Sequence, residues 1–241
     1  MISLLKKEIN TFFSSITGYL VIIIFLLLNS LFLWIFPGEL NILDSGYANL
    51  DTLFYIAPWV FLFLIPAITM KSFAEEKKTG TFELLLTRPL SYYEIITAKY
   101  FAAVILCIIS LIPTIIYYLT VYFLGNPVGN IDNGAFWGSF IGLFLLASIY
   151  VSIGIFTSSI TDNQVIAFIL AIILCFLLYS GFNLISSLFY NVNTQNFILL
   201  IGIDEHYKSV SRGVIDSRDV IYFLSVIYLF LFLTKLSIKK S

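Results

Sequence analysis

Charge is scarce in this chain, and that scarcity excludes most classes of protein. Only 11% of the 241 residues are charged while 60% are apolar, against about 25% and roughly 45–50% in a soluble domain. So large an apolar excess cannot be hidden inside a body of this size, which excludes a soluble globular protein. A single histidine, His206, excludes an H-E-x-x-H zinc site, and beside Lys208 it reads as a solvated side chain. The two cysteines, Cys107 and Cys175, lie within apolar runs and read as small buried hydrophobes, not as a disulfide. No G-x-x-x-x-G-K-[ST] loop is present, so the chain cannot cradle ATP in the P-loop manner. A G-x-S-x-G elbow is absent too. S-x-x-K at Ser3 and K-T-G at Lys78 lack the S-D-N element that would make them an enzyme signature. A net charge of −1 provides no field for nucleic acid. The 24 Phe, 15 Tyr and 13 Gly fit neither disorder, collagen nor coiled coil.

What is present is a series of long uncharged runs. A helix crossing about 30 Å of hydrocarbon needs around 20 apolar residues. Six windows approach or meet that length: Gly18 to Phe36, Thr52 to Met70, Tyr100 to Leu124, Ala135 to Thr157, Val165 to Phe189, and Val220 to Leu233. The last is short unless it reaches Leu236. The expected fold is therefore all-α, a polytopic membrane protein with six transmembrane helices in one domain over 1–241. No small-residue cleavage site follows the first run, so a cleavable signal is not expected. None of the windows contains an Asp, Glu, Lys, Arg or His, which argues against an ion-coupled secondary transporter, where such groups lie near the bilayer midplane.

Orientation follows from the basic residues. Lys6, Lys7, Lys71, Lys77, Lys78, Arg88, Lys99, Lys235, Lys239 and Lys240 fall on one side; Lys208, Arg212 and Arg218 fall on the other. That places both termini in the cytoplasm. Met1 to Thr17 is too polar to span, yet Ile2, Leu4, Leu5, Ile9, Phe12, Phe13 and Ile16 recur at helical spacing around Lys6, Lys7 and Glu8, as in a helix lying along the interface.

The segment 71–99 has specific punctuation. Gly80 interrupts helix, Phe82 to Thr87 can form a short second helix, and Pro89 ends it. Ser91 and Glu94 then form an S-x-x-E capping box that opens the third span. The short helix carries Leu84, Leu85 and Leu86. An exposed leucine triplet needs a cover, either the protein's own helix ends or a groove on a soluble partner.

Glu75, Glu76, Gly80, Thr81, Glu83, Leu84, Leu85, Pro89 and Lys99 together resemble the signature of permeases from type-2 ABC exporters, most closely the gliding-motility-associated (GldF-like) branch. The resemblance implies that 71–99 holds a coupling helix docking on soluble ABC ATPase subunits. Glu75, Glu76, Thr81, Glu83, Leu84 and Arg88 would make the contact, with Gly80 and Pro89 setting the backbone. It also implies no catalytic or metal site and no cofactor in this chain, ATP and Mg being bound by the partner. Further implied are a second permease copy or a homologous permease, an accessory membrane protein, and a place in the inner membrane. A membrane scaffold that recruits a cytoplasmic partner, with nothing passing through, is the alternative.

Gly134, Gly138 and Gly142 form a G-x-x-x-G-x-x-x-G stripe at the entry of the fourth span, suited to close helix approach within the monomer or with a second copy. In the outer loop 190–219, Phe197 to Ile203 is too short to cross and too apolar to float, so a re-entrant or interfacial helix is expected before the last span.

Overall fold

The computed structural model describes residues 1–87, 90–213 and 216–240, and every regular element among them is helical. Helix α1 (Ile2–Ser14) stops at Ser15, whose extended backbone (φ −104°, ψ 151°) turns the chain into α2 (Ile16–Ser30). A π-helical turn over Leu31–Ile35 closes that span just before Pro37. A one-turn helix, α3 (Ile42–Ser45), precedes α4 (Asp51–Thr69), which runs through Pro58 and Pro66 without ending. After one intervening residue, Met70, the chain continues as α5 (Lys71–Lys78). The second span is thus longer than its apolar window, 28 residues from Asp51 to Lys78.

Beyond it come α6 (Thr81–Leu86) and α7 (Tyr92–Leu111). A 3-10 turn at Ile112–Thr114, containing Pro113, gives way to α8 (Ile115–Leu124). Asp132 caps α9 (Asn133–Ile160) and Asn163 caps α10 (Gln164–Phe176), each accepting from backbone N–H groups of the first turn. A π-turn joins α10 to α11 (Phe182–Ser186). Two short helices follow, α12 (Val192–Leu199) and α13 (Ile203–Ser211), before the final α14 (Ser217–Lys240). Six helices are long and apolar enough to cross a membrane, and they coincide with the six windows of the sequence. The last extends well past Leu233. The apolar stretch 197–203 is not one helix: it ends α12, turns, and enters α13 at Gly202.

Burial orders the bundle. In the spans built on α4 and α9, 72% of the apolar window is buried, against 28% for the first and fifth spans and 22% for the last. Helix α9 is therefore the axis, packed by α4, α5, α7, α10, α13 and α14. Its fully buried Tyr150 lies near Tyr179 and Trp59 stacks edge-on against that same ring. Contact with α4 is close enough that a Cβ on Gly154 would sit 2.0 Å from Thr69 Oγ1. Both termini lie at the same end. Met1 reaches Thr97 at the start of α7, and Ser237 Oγ donates to Ser159 O at the end of α9 (3.0 Å).

The glycine stripe receives a segment of its own chain. A Cβ on Gly138 would meet Gly213 Cα at 2.6 Å and Val210 O at 2.9 Å, and one on Gly142 would meet Val210 Cγ1 at 3.2 Å. Gly213, in the left-handed region at φ +85°, packs its backbone against Gly134. Ser139 Oγ donates to Ser211 O (2.8 Å) and Tyr207 Oη to Phe54 O (2.7 Å), which locks α13 across α9 and α4. Gly138→Ala is expected to cost about 1–3 kcal/mol, because backbone cannot rotate away as a side chain can. Gly142→Ala should cost less, and thermal unfolding of the two variants in detergent measures the difference.

Candidate functional site

The segment between the second and third spans is held from below by α9. The start of α5 meets the end of α9 through the N–H groups of Phe73 and Ala74. Both donate to Ser158 Oγ (2.9 and 3.0 Å), which donates in turn to Met70 O (2.9 Å). Lys77 Nζ donates to Ser159 O (2.6 Å). Helix α5 is thus pinned to the end of α9 along its length.

At its other flank α5 meets Lys99, whose side chain is only 2% exposed. Its ammonium donates to Glu76 Oε1 (2.9 Å), Glu8 Oε1 (3.3 Å) and Ser72 O (2.8 Å), and it lies 5.1 Å from the centre of the Phe73 ring. One buried cation therefore joins α1, α5 and α7 by charge-assisted bonds. Glu76, expected at the partner contact, faces inward to this cation instead. The reason is that its position on α5 points toward α7, where a buried lysine needs compensation.

Gly80, at φ 72°, supplies the left-handed corner after α5. Helix α6 then presents two faces. Phe82 packs edge-on against Phe73 (5.9 Å between ring centres) and Leu85 is 8% exposed, whereas Leu84 is 67% exposed and Thr81 and Glu83 also face outward. The protein covers part of its own leucine triplet and leaves Leu84 uncovered. Glu75 is exposed on α5 nearby. Arg88 and Pro89 lie outside the described residues. Beyond Pro89 the capping box forms as its sequence indicates, Ser91 N donating to Glu94 Oε2 (2.9 Å) and Glu94 N to Ser91 Oγ (3.3 Å).

Beside α6 lies a groove of about 460 Å³ walled by Lys77, Phe82 and Glu83 on one side and by Ile160, Thr161 and Asp162 on the other. The short connection after α9 thereby joins the exposed surface. Sequence reasoning missed it, since three residues between two spans carry no signal beyond a turn. It missed Glu8 as well.

The opposite end of the bundle holds a cavity of about 610 Å³ with Tyr55, Trp59, Tyr179 and Tyr207 in its walls and Asp204 and Lys208 among its lining. Lys208 pairs with Asp204, which also accepts from Asn183. Burial raises the Tyr207 phenol well above its ordinary pKa, so it remains a donor to Phe54 O. His206 is not a solvated side chain. It stacks on Tyr222 (3.8 Å), its Nδ1 lies 2.7 Å from Asp219 Oδ1 and its Nε2 lies 3.0 Å from Leu200 O. Among the described residues no group of three or more His, Cys, Asp and Glu is placed to hold a metal ion.

A family model described as ABC-2 family transporter protein matches residues 2–238. No curated protein matches the chain.

Proposed function

The chain belongs to the ABC-2 family of transporter proteins as a membrane permease, and from that premise we propose that it converts ATP hydrolysis on a separate soluble subunit into export across the inner membrane. The observation that carries this reading is the division of α6, with Phe82 and Leu85 anchored inward and Leu84 presented outward between Thr81 and Glu83. An exposed leucine on a helix that starts at a glycine corner and is anchored inward through Phe82 and Leu85 is a preformed knob for an apolar groove.

In this reading the termini, α5 and α6 face the cytoplasm, as the excess of basic residues on that side requires. Leu84, Thr81, Glu83, Glu75 and Arg88 contact the ATPase, with Gly80 and Pro89 shaping the backbone. Glu76 acts one step back, holding α5 against Lys99. Closure of the ATP-loaded subunits presses on α6. The displacement passes into α5 and α4, which form one 28-residue rod, and into α7, which Lys99 ties to the same point. ATP and Mg belong to the partner. A second permease, identical or homologous, completes the assembly, with an accessory membrane protein as a further partner and gliding motility as the process that the GldF-like wording suggests.

The test is an affinity pull-down of the tagged full chain from its native membrane, combined with a photo-crosslinker at position 84. Recovery of a P-loop ATPase crosslinked through position 84 is the expected result. Labelling of residues 80–87 from outside the cell, or recovery of the complex with no ATPase in it, overturns the reading.

A further inference from the structure

A second feature at the terminus end is a cavity that borders the docking surface at Glu75 and Thr81 but lies behind it, between α1, α2 and the α4–α5 rod. Ser15 turns α1 away from α2, and the corner is tight, since a Cβ on Gly18 would lie 2.5 Å from Phe12 O. Between this corner and the α4–α5 rod lies a space of about 680 Å³, within the usual size of a ligand pocket. Its walls differ sharply in character. Toward the spans they are aliphatic, formed by Val21, Ile24, Leu64 and Ile68. Toward the terminus end they are charged, with Lys7, Lys71 and Lys99 facing Glu8, Glu75 and Glu76.

We infer that this cavity seats one phospholipid with a phosphoethanolamine headgroup, its acyl chain along the aliphatic wall and its headgroup among the charges. The aliphatic wall lies on two membrane-spanning helices at the level where their charged continuations begin, which is the depth of a leaflet's headgroup boundary. Water there would leave apolar surface wetted, whereas an acyl chain removes it from water. Opposite charges are balanced around the mouth, which matches a zwitterion better than an anion.

The distribution of partners selects the headgroup further. Lys99 is shared by two carboxylates, Glu8 and Glu76. Among the described residues Glu76 Oε2 is buried and has no hydrogen-bond partner, an arrangement that disfavours the site unless a donor reaches it. A primary ammonium has N–H groups to donate to that oxygen; a quaternary choline has none. Lys7 is exposed and only loosely paired, 3.8 Å from Glu8 and 4.0 Å from Glu76, and Lys71 is exposed too, so both can bind the phosphate. The inference rests on the cavity alone and holds whether or not α6 docks on an ATPase.

Native mass spectrometry tests it. The full chain in its native assembly is exposed to an equimolar mixture of dioleoyl phosphatidylethanolamine, phosphatidylcholine and phosphatidylglycerol. One phosphatidylethanolamine per chain should be retained about tenfold or more over phosphatidylcholine, the scale of one added charge-assisted hydrogen bond. Ile24→Trp, which fills the aliphatic wall from a partly exposed position, should abolish the preference. Lys7→Gln combined with Lys71→Gln should weaken it. Equal retention of the three lipids means an ordinary annular shell and overturns the inference. So does a preference for phosphatidylglycerol, or a preference for phosphatidylethanolamine that survives Ile24→Trp. The comparison of lipids on the unmodified chain stands even if a variant fails to fold.

Discussion

Leu84→Asp is expected to leave the chain folded and membrane-inserted while stripping it of its ATPase. Leu84 touches little of its own protein, being two-thirds exposed, so the substitution removes almost no internal packing. The cost falls on the complex instead. A carboxylate pressed into an apolar groove loses its hydration without gaining a partner, and central interface anchors typically contribute about 2–4 kcal/mol. That corresponds to a roughly 30- to 1000-fold weaker association. Leu85→Asp provides the contrast: its side chain is buried beneath α6, so it should lower folding stability, which Leu84→Asp should not. Co-purification of the ATPase with each variant, together with their melting temperatures, separates the two. An unchanged complex with Leu84→Asp removes α6 from the docking surface.

Lys99→Ala should be the most damaging single change to the permease itself. The substitution removes the cation between Glu8 and Glu76 and leaves two partly buried carboxylates facing one another. Removing one partner of a buried pair costs about 3–5 kcal/mol, and a figure near 3 applies here because the two glutamates keep 13% and 17% exposure. For a chain of this length that lowers the melting temperature by roughly 6–12 °C. Helix α1 should loosen first, since Glu8 is its ionic link to α7, and amide exchange over Ile2–Ser14 reads that directly. The combination Lys99→Met with Glu8→Gln and Glu76→Gln should recover most of the loss, because no uncompensated charge remains. A triple variant no more stable than Lys99→Ala would show that charge is not what Lys99 contributes.

The six spans were legible because hydrocarbon thickness dictates their length, and no folded detail is needed to count apolar residues. The Gly80 corner and the Ser91–Glu94 box were legible for a similar reason, each being a local pattern spanning a few residues. What stayed hidden depended on contacts across the chain. Glu8 and Lys99 are 91 positions apart, and nothing near either residue announces the other. Resemblance places Glu76 at the partner contact, and only the fold brings it to Lys99 on α7. His206 read as solvated because Asp219 and Leu200 meet it only when α13 folds back on α14. In the leucine triplet a helix turns about 100° per residue, so Leu84 and Leu85 fall on different faces, and which face is covered depends on packing around Phe82 and Phe73 that spacing does not show. The glycine stripe was legible as a place for close approach, but whether kin or stranger would approach could not be read from spacing alone.

The last helix is clasped to α9 near its finish by Ser237 on Ser159, and the segment leading toward its start is held on α9 by the Gly213 backbone on Gly138. Two helices buttoned together in this way travel as one plank. In the proposed transport reading, an opening between α9 and α14 is then disfavoured, which leaves the seams of α2 and α10, whose spans are 28% buried, as the places to part.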